Sequence, residues 1–269
     1  MSEQSIYYTS RGKKVHALHW SFGQEGSIIF IHGAIANAYW WRWVSMGLGQ
    51  GQLYSVDLSG HGLSEWDAPY FLSHHVENVL DLITSQDLKP PYYLIGHSYG
   101  GLVAIAALHQ LQQAQAVMVD TPMYLLNEAY QSSKRRYMKP TYATLDEAVS
   151  RFRPLPNQPV TNAEYLSWLA RHSVKKIQGG YTWQFDPGFH QRVISLEDQQ
   201  LIHQLCKGQF YWYGEYSPFA TEHGLSVASE AGMNLSCIPE AYHAVPVDNP
   251  DYVVKLIRKL MSSQRLKEN

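Results

Sequence analysis

YYLIGHSYGGLVAIAALHQL, Tyr92 to Leu111, holds the information from which the fold is read. A largely apolar run ends at Ser98, which stands between Gly96 and Gly100, and an alanine-rich segment of helical composition follows. Apolar character without alternation marks a strand buried on both faces, as in a parallel sheet covered by helices. The period then changes at Ser98. A sharp strand-to-helix turn there explains both glycines, because a side chain at either position would collide with the neighbouring strand or helix.

On either side of this segment the same pattern recurs. SIIFIHG (Ser27 to Gly33) and QLYSVDLSG (Gln52 to Gly60) are also short apolar strands that end at glycine. AQAVMVD (Ala114 to Asp120), QFYWYG (Gln209 to Gly214) and MNLSCIPEAYH (from Met233) continue the series. Helical patterns lie between them, at about 40–48, 73–85, 102–111 and 251–262. Strand and helix alternate, which predicts an α/β fold with a doubly wound, mostly parallel sheet. RGKK at Arg11 reads as the turn of an antiparallel hairpin that precedes it.

The beat fails from Thr121 to about Gly208. That interval is rich in helix formers and aromatics, contains no convincing strand, and is punctuated by RFRPLPNQP and GGYTWQFDPG. A structureless loop of this size is improbable inside a compact domain. The expectation is a helical cap at 121–208, inserted after the strand ending near Asp120, on a core domain of residues 1–120 and 209–269.

Composition narrows the function. The 269 residues are 45% hydrophobic and 16% charged, with a formal net charge of −2, so nucleic-acid binding is disfavoured. The N-terminus has no signal-type apolar run, and no segment approaches the roughly 20 apolar residues needed to cross a bilayer. The expected protein is cytoplasmic, free of membrane, and a monomer or homodimer acting on a small-molecule substrate. Cys206 and Cys237 are too few for a disulfide framework or a zinc site and are read as buried thiols. No glycine-rich phosphate loop, nicotinamide fingerprint or metal-ligand cluster stands out, so neither cofactor nor metal is expected.

GHSYG matches the G-x-S-x-G nucleophile elbow. With HGA (His32 to Ala34), DLSGHGLS (Asp57 to Ser64), AYHAVPVDNP near the C-terminus and ARHSVKKIQGGYTWQFDP (Ala170 to Pro187), the sequence resembles the α/β-hydrolase superfamily in its capped, esterase-like bacterial branch. The resemblance implies Ser98 as nucleophile and His243, after the last strand, as its base. A serine hydroxyl needs such a base to accept its proton. It also implies backbone N–H donors for an oxyanion at Ala34 and Tyr99. The triad acid stays open. Relatives commonly carry an aspartate where this chain has Ser217, which leaves Asp120 as the preferred candidate and Glu215 as the alternative. A turn cap before Thr121 competes for Asp120, and a bond to the loop backbone competes for Glu215.

Other histidines read as structural: His97 as a neighbour of the serine, His32 as an organiser of the oxyanion loop, His61 as part of a glycine-rich turn, and His74 and His75 as solvent-facing. Asp57 is expected to hold the SGHG loop, and Asp248 to cap the last helix. The interval 121–208 carries Tyr130, Tyr137, Tyr142, Phe152, Tyr165, Trp168, Tyr181, Trp183, Phe185 and Phe189, and Tyr39 to Trp41 follow the oxyanion motif. Such a roof suits a substrate with an apolar or aromatic part, although most rings are expected to pack the cap onto the core. SKRRY (Ser132 to Tyr137) could attract an anionic group, but a solvated helical face explains it more simply. The expected function is hydrolysis of a carboxylic ester or thioester through an acyl-serine. C–C bond hydrolysis or perhydrolysis with the same triad, and noncatalytic ligand binding on a hydrolase scaffold, are the alternatives. A haloalkane dehalogenase is disfavoured, since its nucleophile would be an aspartate.

Overall fold

The computed structural model describes residues 3–23, 26–126 and 138–268. Strands β1 (Gln4–Ser10) and β2 (Lys13–Ser21) form the expected antiparallel hairpin. The alternating series follows: β3 (Ser27–Ile31), α1 (Arg42–Leu48), β4 (Gln52–Val56), α2 (Leu72–Ser85), β5 (Tyr92–His97), α3 (Tyr99–Ala107) and β6 (Ala114–Val119). Then come α4 (Leu145–Arg151), α5 (Ala163–His172), β7 (Val174–Ile177), β8 (Gly180–Trp183) and α6 (Leu196–Leu205). The chain closes with β9 (Phe210–Gly214), α7 (Glu222–Glu230), β10 (Asn234–Ile238), α8 (Val245–Asp248) and α9 (Pro250–Glu268).

Eight strands form one sheet in the order β1-β2-β4-β3-β5-β6-β9-β10, and from β4 onward every neighbour is parallel. The unbroken apolar runs are explained by coverage on both faces. Ile29 and Ile31 of β3 enter the layer made with α2, α3, α6 and α7, whereas Ile28 and Phe30 enter the layer made with α1, α8 and α9. Register aligns the strand ends. Ile31 lies beside Gly96 and His97 beside Val119, so His32, Ser98 and Asp120 leave the sheet side by side at its carboxyl edge.

Between β6 and β9 the described residues include helices α4, α5 and α6, and, against the expectation of no strand there, β7 and β8 pair as an antiparallel hairpin. Each has only four residues and the pair is closed by Gly179 and Gly180, so the strand signal is too short and too polar to show in the sequence pattern. Helix α6 packs on α3 in the sheet's helical layer. Tyr130, Tyr137 and the SKRRY stretch lie outside the described residues. Two further expectations are corrected. Cys206 is buried, but Cys237 is exposed on β10, the terminal strand of the sheet. His75 is fully buried, because it shares the inward face of α2 with Leu72, Val76 and Val79. Among the described residues no helix is long and apolar enough to cross a membrane.

Candidate active site

Ser98 sits between β5 and α3 with φ 52° and ψ −119°, a strained conformation for a residue with a side chain. Its backbone is held from two sides: its N–H donates to the Val119 carbonyl (2.8 Å), and its own carbonyl accepts from Thr121 Oγ1 (2.8 Å). The two flanking glycines are required by contact. A Cβ on Gly96 would lie 2.0 Å from the Gly100 carbonyl oxygen, and one on Gly100 would lie 2.4 Å from that of Ile31.

Asp120 is fully buried and also has positive φ, 50°. Its Oδ2 lies 2.6 Å from His243 Nδ1 and accepts from Ser217 Oγ (2.5 Å), while Oδ1 accepts the Gly214 N–H (3.0 Å). Against a carboxylate, Nδ1 carries the proton, which leaves Nε2 of neutral His243 as the acceptor. Glu215 is exposed and takes the Glu240 N–H (3.0 Å), the backbone bond expected as its structural role. Ser217, where the resemblance implies an aspartate, donates to Asp120.

Ser98, His243, Ala34 and Tyr99 line one cavity of about 500 Å³. Its walls include Trp40, Tyr142, Phe152, Trp183, Phe185 and Phe189, so six of the expected aromatics face it. Tyr165 and Trp168 instead pack on the segment after the oxyanion motif: the Tyr165 hydroxyl donates to the Tyr39 carbonyl (2.8 Å), and Trp168 stands edge-on to Tyr39.

Behind the loop 33–36 lies a set of buried imidazoles. His32 Nδ1 donates to the Gly33 carbonyl (2.7 Å), and its Nε2 accepts the Leu58 N–H (3.1 Å). His61 Nε2 accepts the N–H of Ile35 (3.2 Å), a residue with φ 55°. His75 Nδ1 accepts the Tyr99 hydroxyl (2.8 Å), which ties the residue after Ser98 to the same cluster. Desolvation lowers all three below the usual histidine range, to about 3 for His75, so they are neutral near pH 7. His97 is likewise depressed by burial, and its Nε2–H donates to the His243 carbonyl (2.7 Å). Asp57 holds its loop as expected, accepting the Ala38 and Leu63 N–H groups and pairing with His16. Asp248 does not cap α9. Asn249 does so, accepting the Tyr252 N–H (3.1 Å), while Asp248 turns back to accept the Tyr242 N–H (2.9 Å). Sequence reasoning misses Ser217 and Thr121 as partners of the site; the serine at the vacant acid position is the available signal for the first.

The model of the alpha/beta hydrolase family matches residues 28–256. The chain belongs to this family. Lipase LipV of Mycobacterium tuberculosis is 28% identical over 172 residues, 60% of this chain and 64% of the lipase. Esterase Rv0045c of the same organism is 36% identical over 128 residues, 45% of this chain and 42% of the esterase. The chain thus spans less than two thirds of the length of either curated relative. Among solved structures, the thioesterase domain from the curacin biosynthetic pathway superposes with a TM-score of 0.80 at 18% identity, over 96% of this chain and 99% of that one. The Rv0045c structure gives 0.76 at 21% identity, over 97% and 92%. At these identities the likeness is one of fold, and this alpha/beta hydrolase has the eight-stranded, mostly parallel sheet that goes with it.

Proposed function

We propose that the protein is a serine hydrolase that cleaves a carboxylic ester or thioester with an apolar or aromatic part through an acyl-Ser98 intermediate. The observation that carries the reading is the buried 2.6 Å contact between Asp120 Oδ2 and His243 Nδ1, at the wall of a cavity that Ser98 also lines. Asp120 fixes the imidazole tautomer and stabilises the imidazolium that forms. His243 Nε2 takes the Ser98 proton as Oγ attacks the carbonyl carbon. The backbone N–H groups of Ala34 and Tyr99 receive the developing oxyanion, and that of Tyr99 stands at the positive end of α3. The imidazolium then protonates the departing alcohol or thiol. Water, deprotonated by the same nitrogen, releases the acid and restores Ser98. The described part of the interval between β6 and β9 that precedes α6 serves as the cap, and its aromatic wall receives the apolar part of the substrate. Relatives named lipase and esterase support ester bonds over C–C bonds as the target.

Labelling with a fluorophosphonate, followed by peptide mapping, tests the assignment. The label is expected on Ser98, unaffected by Glu215→Gln and slowed on the order of 10³-fold or more by Asp120→Asn. Folded protein that takes no label, or Ser98→Ala that still hydrolyses esters at the wild-type rate, would overturn the reading.

A further inference from the structure

One clamp joins the cavity wall to the histidine loop. From the last residue of α4 onward, residues 151–156 all line the cavity, and two residues on the chain turns to the loop that carries His243. The Gln158 amide bonds in both senses there. Its Oε1 accepts the Ala244 N–H (2.9 Å), and its Nε2 donates to both carboxylate oxygens of Asp248 (3.1 and 2.9 Å). Asp248 in turn accepts the Tyr242 N–H (2.9 Å) and the Thr161 hydroxyl (2.5 Å). The backbone N–H groups immediately before and after His243 therefore both end on one Gln158–Asp248 pair. With the His97 bond to the His243 carbonyl, three consecutive residues of the loop have a backbone group fixed by a side chain.

The chemistry of the clamp is specific. Position 158 needs an acceptor toward Ala244 and a donor toward Asp248 at the same reach, which an amide supplies and neither a carboxylate nor an ammonium does. Of these three side-chain bonds to the loop backbone, only that of Gln158 comes directly from the interval between β6 and β9, and Thr161 of the same interval supports it through Asp248.

We propose that Gln158 is a positioning residue for His243, which makes the cavity wall at 151–156 and the base one mechanical unit; this rests on the serine-hydrolase reading above. A substrate that presses on that wall moves the segment holding the residue after the base. A small displacement of a base relative to its nucleophile costs rate while leaving binding largely intact.

The test compares wild type, Q158L, Q158E and the exchange Q158E/D248N. Each is followed by fluorophosphonate labelling of Ser98, by kcat and KM on a short-chain p-nitrophenyl ester, and by thermal unfolding. In the exchange the carboxylate introduced at position 158 accepts from Ala244 and from the amide introduced at position 248, whose oxygen still faces Tyr242. Q158L and Q158E are expected to slow labelling and kcat by roughly 10-fold to 100-fold, with KM within about twofold of wild type. The exchange is expected to return at least about a tenth of the lost rate, as a repaired donor–acceptor pair should. Q158L that loses thermal stability but labels at the wild-type rate would overturn the proposal, because the bond would then be structural only. An exchange as slow as Q158E would overturn it too, and this pair decides the matter even if Q158L does not fold. Wild type that takes no label refutes the serine-hydrolase reading itself, an outcome distinct from these.

Discussion

The two sides of the cavity are built by different means. On the sheet side, Ser98 and Asp120 stand at strand ends whose backbones are fixed by neighbouring strands, and the side chains behind them are buried. On the other side, the described residues between β6 and β9 are tied to the loops at 60–62 and 70–72 by a few backbone bonds, and side chains reaching backbone groups add to these. Thr144 and Asn162 cap α4 and α5, and Gln158 and Lys139 bridge loops. Among the described residues, close backbone packing thus dominates around Ser98 and Asp120, and replaceable polar bonds carry more of the load opposite. Substitutions should therefore be costly and nearly all-or-none on the sheet side, and graded opposite.

A pair of glycine replacements puts this division under the greatest strain. Gly96→Ala drives a methyl to 2.0 Å from the Gly100 carbonyl oxygen, and the nearest atoms are all backbone of Gly100 and Gly101, with no flexible side chain to yield. Loss of more than about 4 kcal/mol is expected, seen as insoluble or unfolded protein. Gly179→Ala, in the turn between β7 and β8, meets nothing within 4 Å and suffers only from its φ of +88°. A cost of about 1–2 kcal/mol follows from the left-handed backbone alone. Urea unfolding measures both, and similar losses at the two positions would contradict the division.

A second prediction uses the buried histidines of the sheet side. His61, His75 and His97 are held neutral by burial, and His75 is depressed to about 3. Each therefore binds a proton only on unfolding once the pH falls below about 6.5. Their stabilising contribution is complete above that value and is lost as the pH falls toward the folded pKa. The free energy of unfolding should drop by about 1.4 kcal/mol per pH unit for each histidine through that window. His75→Gln removes one of these protons. Between about pH 6.5 and pH 5 its stability should fall by about 2 kcal/mol less than that of wild type. An identical slope would show that His75 is already protonated in the folded chain.

Much of the sheet side is legible in the sequence because its physics is local. An apolar run ending at glycine announces a strand buried on both faces, and Ser98 between Gly96 and Gly100 announces the turn. The opposite side is not legible in the same way. Gln158 and Ala244 are 86 positions apart, and the chain marks neither as a partner of the other. β7 and β8 are short and polar, held by their pairing with each other more than by composition. His75 is legible by its spacing from Leu72 and Val79, which puts it on the apolar face of α2, but residue type points the other way and obscures it. The sequence prefers Asp120 to Glu215 only through the resemblance, and the 2.6 Å contact of Asp120 Oδ2 with His243 Nδ1, across the sheet's edge, is not legible in it.

The gentlest test lies in the wall itself. Lys139 Nζ donates to the carbonyls of Trp183 (2.9 Å) and Phe185 (2.5 Å), and both of these residues line the cavity. It lies over the rings of Trp66 and Phe185, and desolvation followed by the nearby Lys175 lowers its ammonium to about 8. Lys139→Met keeps most of the stem that covers the aromatic surface and removes the donors, so the loss isolates the polar contribution. Because the site is half-buried and water can reach the freed carbonyls, about 1–2 kcal/mol of stability is expected, less than for a sealed charge-assisted bond. The effect on turnover separates the two sides. The lysine holds cavity-wall residues and bonds to none of Ser98, Asp120 and His243, so under the proposed function KM should rise severalfold while kcat stays within about twofold. A fall in kcat at constant KM would instead mean that this part of the wall, like the segment holding Gln158, reaches the reacting groups, and the graded side of the molecule would then be one device with the rigid side.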